Sequence, residues 1–314
     1  QPAVLILDEP LSMLDGTAAL ELVHYLGDLA RDGTAVAVAE HREEYLRPLP
    51  GLEVLRLAGP AGQDVPVPDA PPWPAVDPFA LAVENLAITL AGHPVFRGLS
   101  FRAEAGQILA VVGRNGVGKT TLLRALAGLQ KHEGSVRIDG GRPDLGLVFQ
   151  NADLQLFNAS VREEILYRVP EPDMALYGWL TSVLGLASYN DTPPLLLSEG
   201  EKKRVALATV LMRRPRHGLL LDEPSLCQDS AHKAVLVRVA RALAAAGQLV
   251  ILTTHDLTLA AQADAIALLG TPGFLTCGPA AEVLRDPGPW ASLGLSVPAW
   301  VLAAGEHGTE AGAA

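Results

Sequence analysis

Two kinds of apolar pattern alternate along most of the chain. Residues 107–112, 146–149, 218–221 and 249–253 are short runs rich in Val, Ile and Leu, whereas 120–129, 201–212 and 230–246 carry Ala and Leu at helical spacing. Runs this short suit strands, and their alternation with helical stretches predicts parallel strands joined by helical crossovers, an α/β architecture. The pattern breaks within residues 60–78, which hold Pro60, Pro66, Pro68, Pro71, Pro72, Pro74 and Pro78. A fixed φ with no N–H to donate excludes a helix or a central strand there, so this stretch is expected to be a linker.

The pattern also repeats. Val4-Leu5-Ile6-Leu7-Asp8-Glu9-Pro10 lies over Gly218-Leu219-Leu220-Leu221-Asp222-Glu223-Pro224 at an offset of 214 positions. Without any gap, the same offset pairs Asp15 with Asp229, Ala30 with Ala244, Gly33 with Gly247 and His41 with His255. Two apolar strands can share Leu-Leu-Asp by chance, but the later matches point to two copies of one domain. At this offset the counterparts of Gly113 and Ser198 fall before residue 1, so the first copy is expected to be the C-terminal part of its domain.

Composition narrows the class. Of 314 residues, 49% are hydrophobic and 19% charged, enough for one large core or two modest ones, and collagen-like, mucin-like and disulfide-rich classes are excluded. The net charge of −11 argues against a broad nucleic-acid footprint, so no nucleic-acid partner is expected. Cys227 and Cys277 form no metal-spaced cluster, and a reducing compartment fits. No apolar run is long enough to span a membrane, and Gln1 to Leu7 lack the basic region of a secretory leader.

Residues Gly113, Arg114, Asn115, Gly116, Val117, Gly118, Lys119 and Thr120 complete a G-x-x-x-x-G-K-T match between a strand and a Leu-rich helix, followed by Thr121. Glycines let backbone N–H groups approach phosphate, and the helix N-terminus adds a favourable dipole. Lys119 supplies charge to the β and γ phosphates, and the Thr120 hydroxyl suits Mg²⁺. A Gly-rich turn matching this pattern by accident is expected in about one chain of this length in a hundred. The strand 219–221 ends in Asp222 and Glu223, a Walker B match in which Asp222 faces Mg²⁺ and Glu223 polarises the attacking water. Two acids at a strand end alone more often cap a helix. The loop upstream, and His255 at the same 32-residue distance from Glu223 as His41 from Glu9, favour the catalytic reading.

Leu197-Ser198-Glu199-Gly200-Glu201-Lys202-Lys203-Arg204 resembles the LSGGQ signature of the ATP-binding cassette (ABC) superfamily, although Ser198 and Glu201 also make a plain capping box. The resemblance covers residues 81–281 and, through the repeat, 4–59. It implies a P-loop NTPase cassette with a mainly parallel core sheet, an antiparallel β-subdomain and a helical subdomain, preceded by the C-terminal part of a second cassette. The expected divisions are 1–59, a linker at 60–78, a complete cassette at 79–290 and an extension at 291–314. Ser198 and Gly200 would then address a nucleotide across a head-to-tail pair of ABC ATPase domains. Gln150 would be the Q-loop glutamine and a further Mg²⁺ contact, His255 the switch histidine, and Asp8, Glu9 and His41 the first-half equivalents of Asp222, Glu223 and His255.

The stretch from Gln150 through Asn151, Asp153, Leu154 and Gln155 to Phe157 is similar to that of cobalt, nickel and vitamin importers of the energy-coupling-factor type. That resemblance implies an ATP- and Mg²⁺-using motor, peripheral on the cytoplasmic face of the membrane, docked through this segment on transmembrane subunits. The competing readings are a soluble tandem ABC factor and a nucleotide-binding module with little turnover. Three departures bear on them. Glu199 replaces a signature glycine, Leu90 stands where an adenine-stacking aromatic is usual unless Phe96 or another aromatic substitutes, and Cys227-Gln228 replace Gly-Leu before Asp229.

Overall fold

The computed structural model describes residues 2–8, 10–11, 14, 16–40, 43–55, 73–225, 230–271 and 273–295. The chain divides into two compact units, Gln1–Asp64 and Val65–Ala314.

In the first unit, β1 (Val4–Asp8), α1 (Gly16–Arg31), β2 (Ala35–Ala39) and α2 (Glu43–Leu46) follow one another. Strands β1 and β2 are parallel, with Val4 opposite Ala35 and Asp8 opposite Ala39. Buried Leu11, Ala19, Val23 and Leu46 form its small core.

The second unit runs β3 (Ala80–Leu90), β4 (His93–Glu104), β5 (Ile108–Val112), α3 (Lys119–Leu126), β6 (Glu133–Ile138) and β7 (Leu145–Val148). Then come α4 (Val161–Leu166), α5 (Met174–Val183), α6 (Glu199–Met212), β8 (Gly218–Asp222), α7 (Ser230–Ala245) and β9 (Leu249–Thr254). It closes with α8 (Leu257–Ala260), β10 (Ala265–Leu269), β11 (Phe274–Pro279), α9 (Ala280–Arg285) and α10 (Pro287–Ser292). A six-stranded sheet has the order β11-β10-β5-β9-β8-β7. Only the β10–β11 pair is antiparallel. Strands β4-β3-β6 make a separate antiparallel sheet.

The period of two along each central strand builds two cores. Ile108, Ala110 and Val112 of β5, with Val250 and Leu252 of β9, face the helices α4 to α7. Leu109, Val111 and Ile251 face α3 and the antiparallel sheet. A strand buried on both sides has no room for a polar face, which is why these runs read as unbroken apolar sequence. The helical crossover α3 is shorter than its Leu pattern suggests, because Gly128 takes a left-handed φ of 70°.

The 214-residue offset reappears in the elements themselves. Strand β1, α1 and α2 have the same bounds, once shifted, as β8, α7 and α8. The β1–β2 register, shifted likewise, is that of Gly218 with Leu249 and Asp222 with Thr253.

Two sequence boundaries move. Trp73 is buried and meets Trp179 of α5 edge to face at 6.2 Å, and the Val76 N–H donates to the Ala246 carbonyl at 3.0 Å. Trp73 and Val76, in the stretch expected to be linker, therefore pack within the second unit. Proline excluded regular structure, but apolar Trp73 still had surface to bury. At the other end Trp290 and Leu293 are core residues, so the packed cassette runs past 290.

At the β7 edge, the Asp144 N–H donates to His217 Nδ1 at 2.9 Å and Phe79 packs against the imidazole. Burial, with Arg216 nearby, holds His217 below its usual value of 6.5. The folded state therefore binds fewer protons than the unfolded chain. The stability tied to this contact is complete above the unfolded value and disappears as pH falls through the folded one. Between pH 7.5 and 5, denaturant titration should show a loss of about 1 kcal/mol, the usual worth of such a bond. His217→Asn, which keeps an acceptor but does not titrate, should flatten that part of the profile.

Candidate nucleotide site

The glycine-rich loop leaves the end of β5 and enters α3. A Cβ on Gly113 would stand 2.5 Å from the Leu269 carbonyl oxygen. On Gly118, which has φ of 108°, it would stand 2.6 Å from Val95. Glycine is thus required at both ends of the turn. Gly118 caps α3 without a side chain, so the first-turn N–H groups stay available to an anion. Arg114, Asn115 and Gly116 are exposed at the tip, with Val117 and Thr121 half-buried. Lys119 is buried and folds back, donating to the carbonyls of Gly113 at 2.8 Å and Arg114 at 3.4 Å.

Strand β8 delivers two carboxylates to this loop. The Thr120 hydroxyl donates to Asp222 Oδ2 at 2.7 Å, and Thr253 on β9 donates to Asp222 Oδ1 at 2.7 Å. Glu223, 4% exposed, stands 3.3 Å from Lys119 Nζ and accepts from His255 Nδ1 at 3.0 Å and the His255 N–H at 3.3 Å. Burial pushes its carboxyl up, but His255 and Lys119 outweigh burial and hold it below the usual 4.5. Glu223 is ionised at neutral pH. A carboxylate only accepts, so His255 donates from Nδ1 in this contact. Hard oxygens at Thr120 and Asp222, beside a loop of N–H donors and a buried ammonium, are a donor set that fits Mg²⁺ and phosphate.

The signature lies at the start of α6. The Ser198 N–H and hydroxyl donate to Glu201 Oε2 at 2.8 and 2.7 Å, closing the capping box. This cap starts the helix at Glu199, two residues earlier than its apolar pattern. Ser198 is exposed and Gly200 buried. Glu199 sits with its carboxylate 3.0 Å from Lys202 Nζ, which also lies 3.0 Å from Asp153. An acid in place of glycine is thereby neutralised locally.

Gln150 follows β7 and is half-buried. Gln155 braces the strand end, accepting from the Phe149 N–H and donating to the Leu147 carbonyl, both at 2.9 Å. Buried Glu164 accepts the N–H groups of Phe157 at 2.8 Å and Asn158 at 2.7 Å. So held, the segment turns Leu156 inward while Leu154 and Phe157 stay 63% and 65% exposed.

The structure thus gathers Lys119, Thr120, Asp222, Glu223 and His255 into one hydrogen-bonded cluster. Thr253 and Glu164 were not singled out in the sequence, and Gln155 was read there only as part of a resemblance, without its bracing bonds to Phe149 and Leu147. A Thr inside an apolar strand was the available signal for Thr253, whereas the others show only through their bonds. Phe96 is 1% exposed beneath Gly118 and offers no ring face, which removes it as a substitute at Leu90; Leu90 itself is 39% exposed. Asp8 is exposed, and Glu9, His41, Asp229, Cys227 and Gln228 lie outside the described residues.

Fold and site together define a P-loop nucleotide-binding cassette. The family model for ABC transporters matches residues 96–226. The hemin import ATP-binding protein HmuV of Streptomyces coelicolor is 38% identical over 71% of this chain and 86% of its own length. The chain belongs to the ABC transporter ATP-binding family. It spans 66% of the length of a longer relative from the same organism, SCO2324, and is 33% identical to it over 90% of this chain. Among solved structures, cbiO1 from Clostridium perfringens, part of the ABC transporter complex cbiONQ, is similar with a TM-score of 0.56. It is 27% identical, covering 67% of this chain and 92% of that one.

Proposed function

We propose that this chain is an ATP-hydrolysing motor subunit of an importer of the energy-coupling-factor type, moving a metal ion or vitamin through separate membrane subunits. The observation that carries the hydrolytic part is the buried carboxylate of Glu223, ionised and set between Lys119 and His255. In this reading residues 113–121 bind the ATP phosphates, and Lys119 leaves Glu223 to meet them. Mg²⁺, when bound, would be held by Thr120, Asp222 and Gln150 and would supply charge neutralisation at the phosphates. Glu223 accepts a proton from the attacking water, and His255 Nε2 orients on the γ-phosphate side. Ser198 and Gly200 serve the nucleotide of a second cassette in a head-to-tail pair. Residues 1–59, with Asp8, Glu9 and His41, belong to another copy of the cassette. Phosphate release that requires both ATP and Mg²⁺ supports this reading. Tight ATP binding with no release under any pairing condition would instead favour the low-turnover module that Glu199 and Leu90 suggest.

The importer assignment rests on residues 150–157 and on the likeness to cbiO1, and it places the chain at the cytoplasmic face of the membrane. Among the described residues no helix is long and apolar enough to cross a bilayer, so separate subunits would do the spanning. Leu154 and Phe157 offer those subunits an apolar contact. Phe157→Asp should cost about 2 kcal/mol of docking, the scale of one interface anchor, and reduce co-purification with membrane subunits while sparing nucleotide binding. A collapsed melting transition in that variant would mean the ring supports the fold instead.

A further inference from the structure

Lys203 is a buried cation that the chemistry above leaves without a task. It lies on α6, the helix that starts at the signature, and is 8% exposed. Its ammonium donates to the backbone carbonyl of Glu223 at 3.2 Å. That carbonyl belongs to an uncommon turn. Glu223 has φ of 46°, the left-handed region that residues with a side chain rarely adopt. Its N–H is fixed by Thr253, at 3.2 Å to the carbonyl oxygen and 3.0 Å to the hydroxyl. Its carboxylate is fixed by His255 and Lys119. The next residue is Pro224, so the peptide between them has no N–H and can be gripped only by its carbonyl.

We propose that Lys203 is a positioning residue for Glu223, holding the left-handed turn so that the carboxylate stays aimed between His255 and Lys119. Releasing the carbonyl lets the 223–224 peptide rotate toward an ordinary φ, and the carboxylate swings with it. Because Lys203 and Ser198 share one helix, a shift of the signature is passed to Glu223 through a hydrogen bond. This rests on the reading of Glu223 as general base.

The test compares Lys203→Met and Lys203→Arg in the full chain. In the methionine variant, phosphate release at saturating ATP should fall about 10- to 100-fold while half-saturation changes less than about threefold, a loss confined to the transition state. Arginine, which restores a buried cationic donor, should return most of the rate. In the nucleotide-free protein, deuterium exchange in peptides covering residues 222–225 and 253–256 should quicken about tenfold or more with methionine, with β5 unchanged, because those amides are held by this turn. A rate and exchange equal to the parent protein's, or equal losses of rate and affinity, overturn the proposal. The exchange measurement needs no turnover. A parent protein that binds ATP without hydrolysing it would sink the proposed function, while exchange still decides the task of Lys203. Should the methionine variant not fold, Lys203→Gln, too short to reach the carbonyl, is measured in its place.

Discussion

Glu223→Gln is expected to slow ATP hydrolysis by roughly 10²–10⁴, the scale of a lost general base, with nucleotide binding nearly intact. The substitution preserves size and keeps an oxygen for the His255 Nδ1 proton, so the hydrogen bond at 3.0 Å can survive. It removes the basic carboxylate and leaves an amide oxygen too weakly basic to take a proton from water. Lys119 loses the carboxylate at 3.3 Å but retains the Gly113 carbonyl, and ATP phosphates would then supply its counter-charge. Affinity is therefore expected to hold or rise. In the nucleotide-free protein His255 and Lys119 hold the Glu223 carboxyl below 4.5, so the base starts out ionised at neutral pH. Single-turnover phosphate release beside equilibrium ATP binding separates the two quantities, and unchanged turnover would remove Glu223 from the mechanism.

Gly218→Ala should unfold the second unit, at a cost of about 4 kcal/mol or more. A Cβ at this position would stand 1.8 Å from the Leu249 carbonyl oxygen, and the residue's φ of 135° is one that alanine rarely adopts. Leu249 cannot retreat, because it is fully buried in β9, the strand that carries Thr253 to the carboxylates. Chemical denaturation should show little or no native baseline. Val4 begins the equivalent strand of the first unit, so the demand for glycine comes from the start of β8, between β7 and β9, where the His217 carbonyl accepts the Leu249 N–H at 2.9 Å. A variant with an ordinary two-state transition near that of the parent protein would contradict the predicted crowding.

The parts legible in the sequence were those whose chemistry is contiguous. Gly113 to Thr120 and Leu219 to Glu223 each concentrate a function in a few neighbouring residues, and the strands around them announce themselves because both faces are buried. The 214-residue offset was legible too, and its agreement with strand register follows from a gapless repeat. What stayed hidden depends on contacts across the sheet. Thr253 is 31 positions from Asp222, and Lys203 is 20 from Glu223. Neither spacing marks a motif. Trp73 looked like linker because proline speaks about the backbone and says nothing of where a large ring goes. Phe96 was a candidate platform by residue type alone, and burial under the phosphate loop decided otherwise.

The Lys202 ammonium, shared between Asp153 and Glu199, has a consequence for how the protein responds to its medium. The side chains of the two acids are 44% and 54% exposed, so dissolved ions reach them, whereas the apolar contacts of Leu156 behind the same segment are shielded. Added salt weakens the first kind of tie and leaves the second intact. The outward face of Leu154 and Phe157 thus rests on a spring whose stiffness is set by ionic strength, and its grip on the signature helix should slacken in concentrated electrolyte while the cassette beneath remains folded.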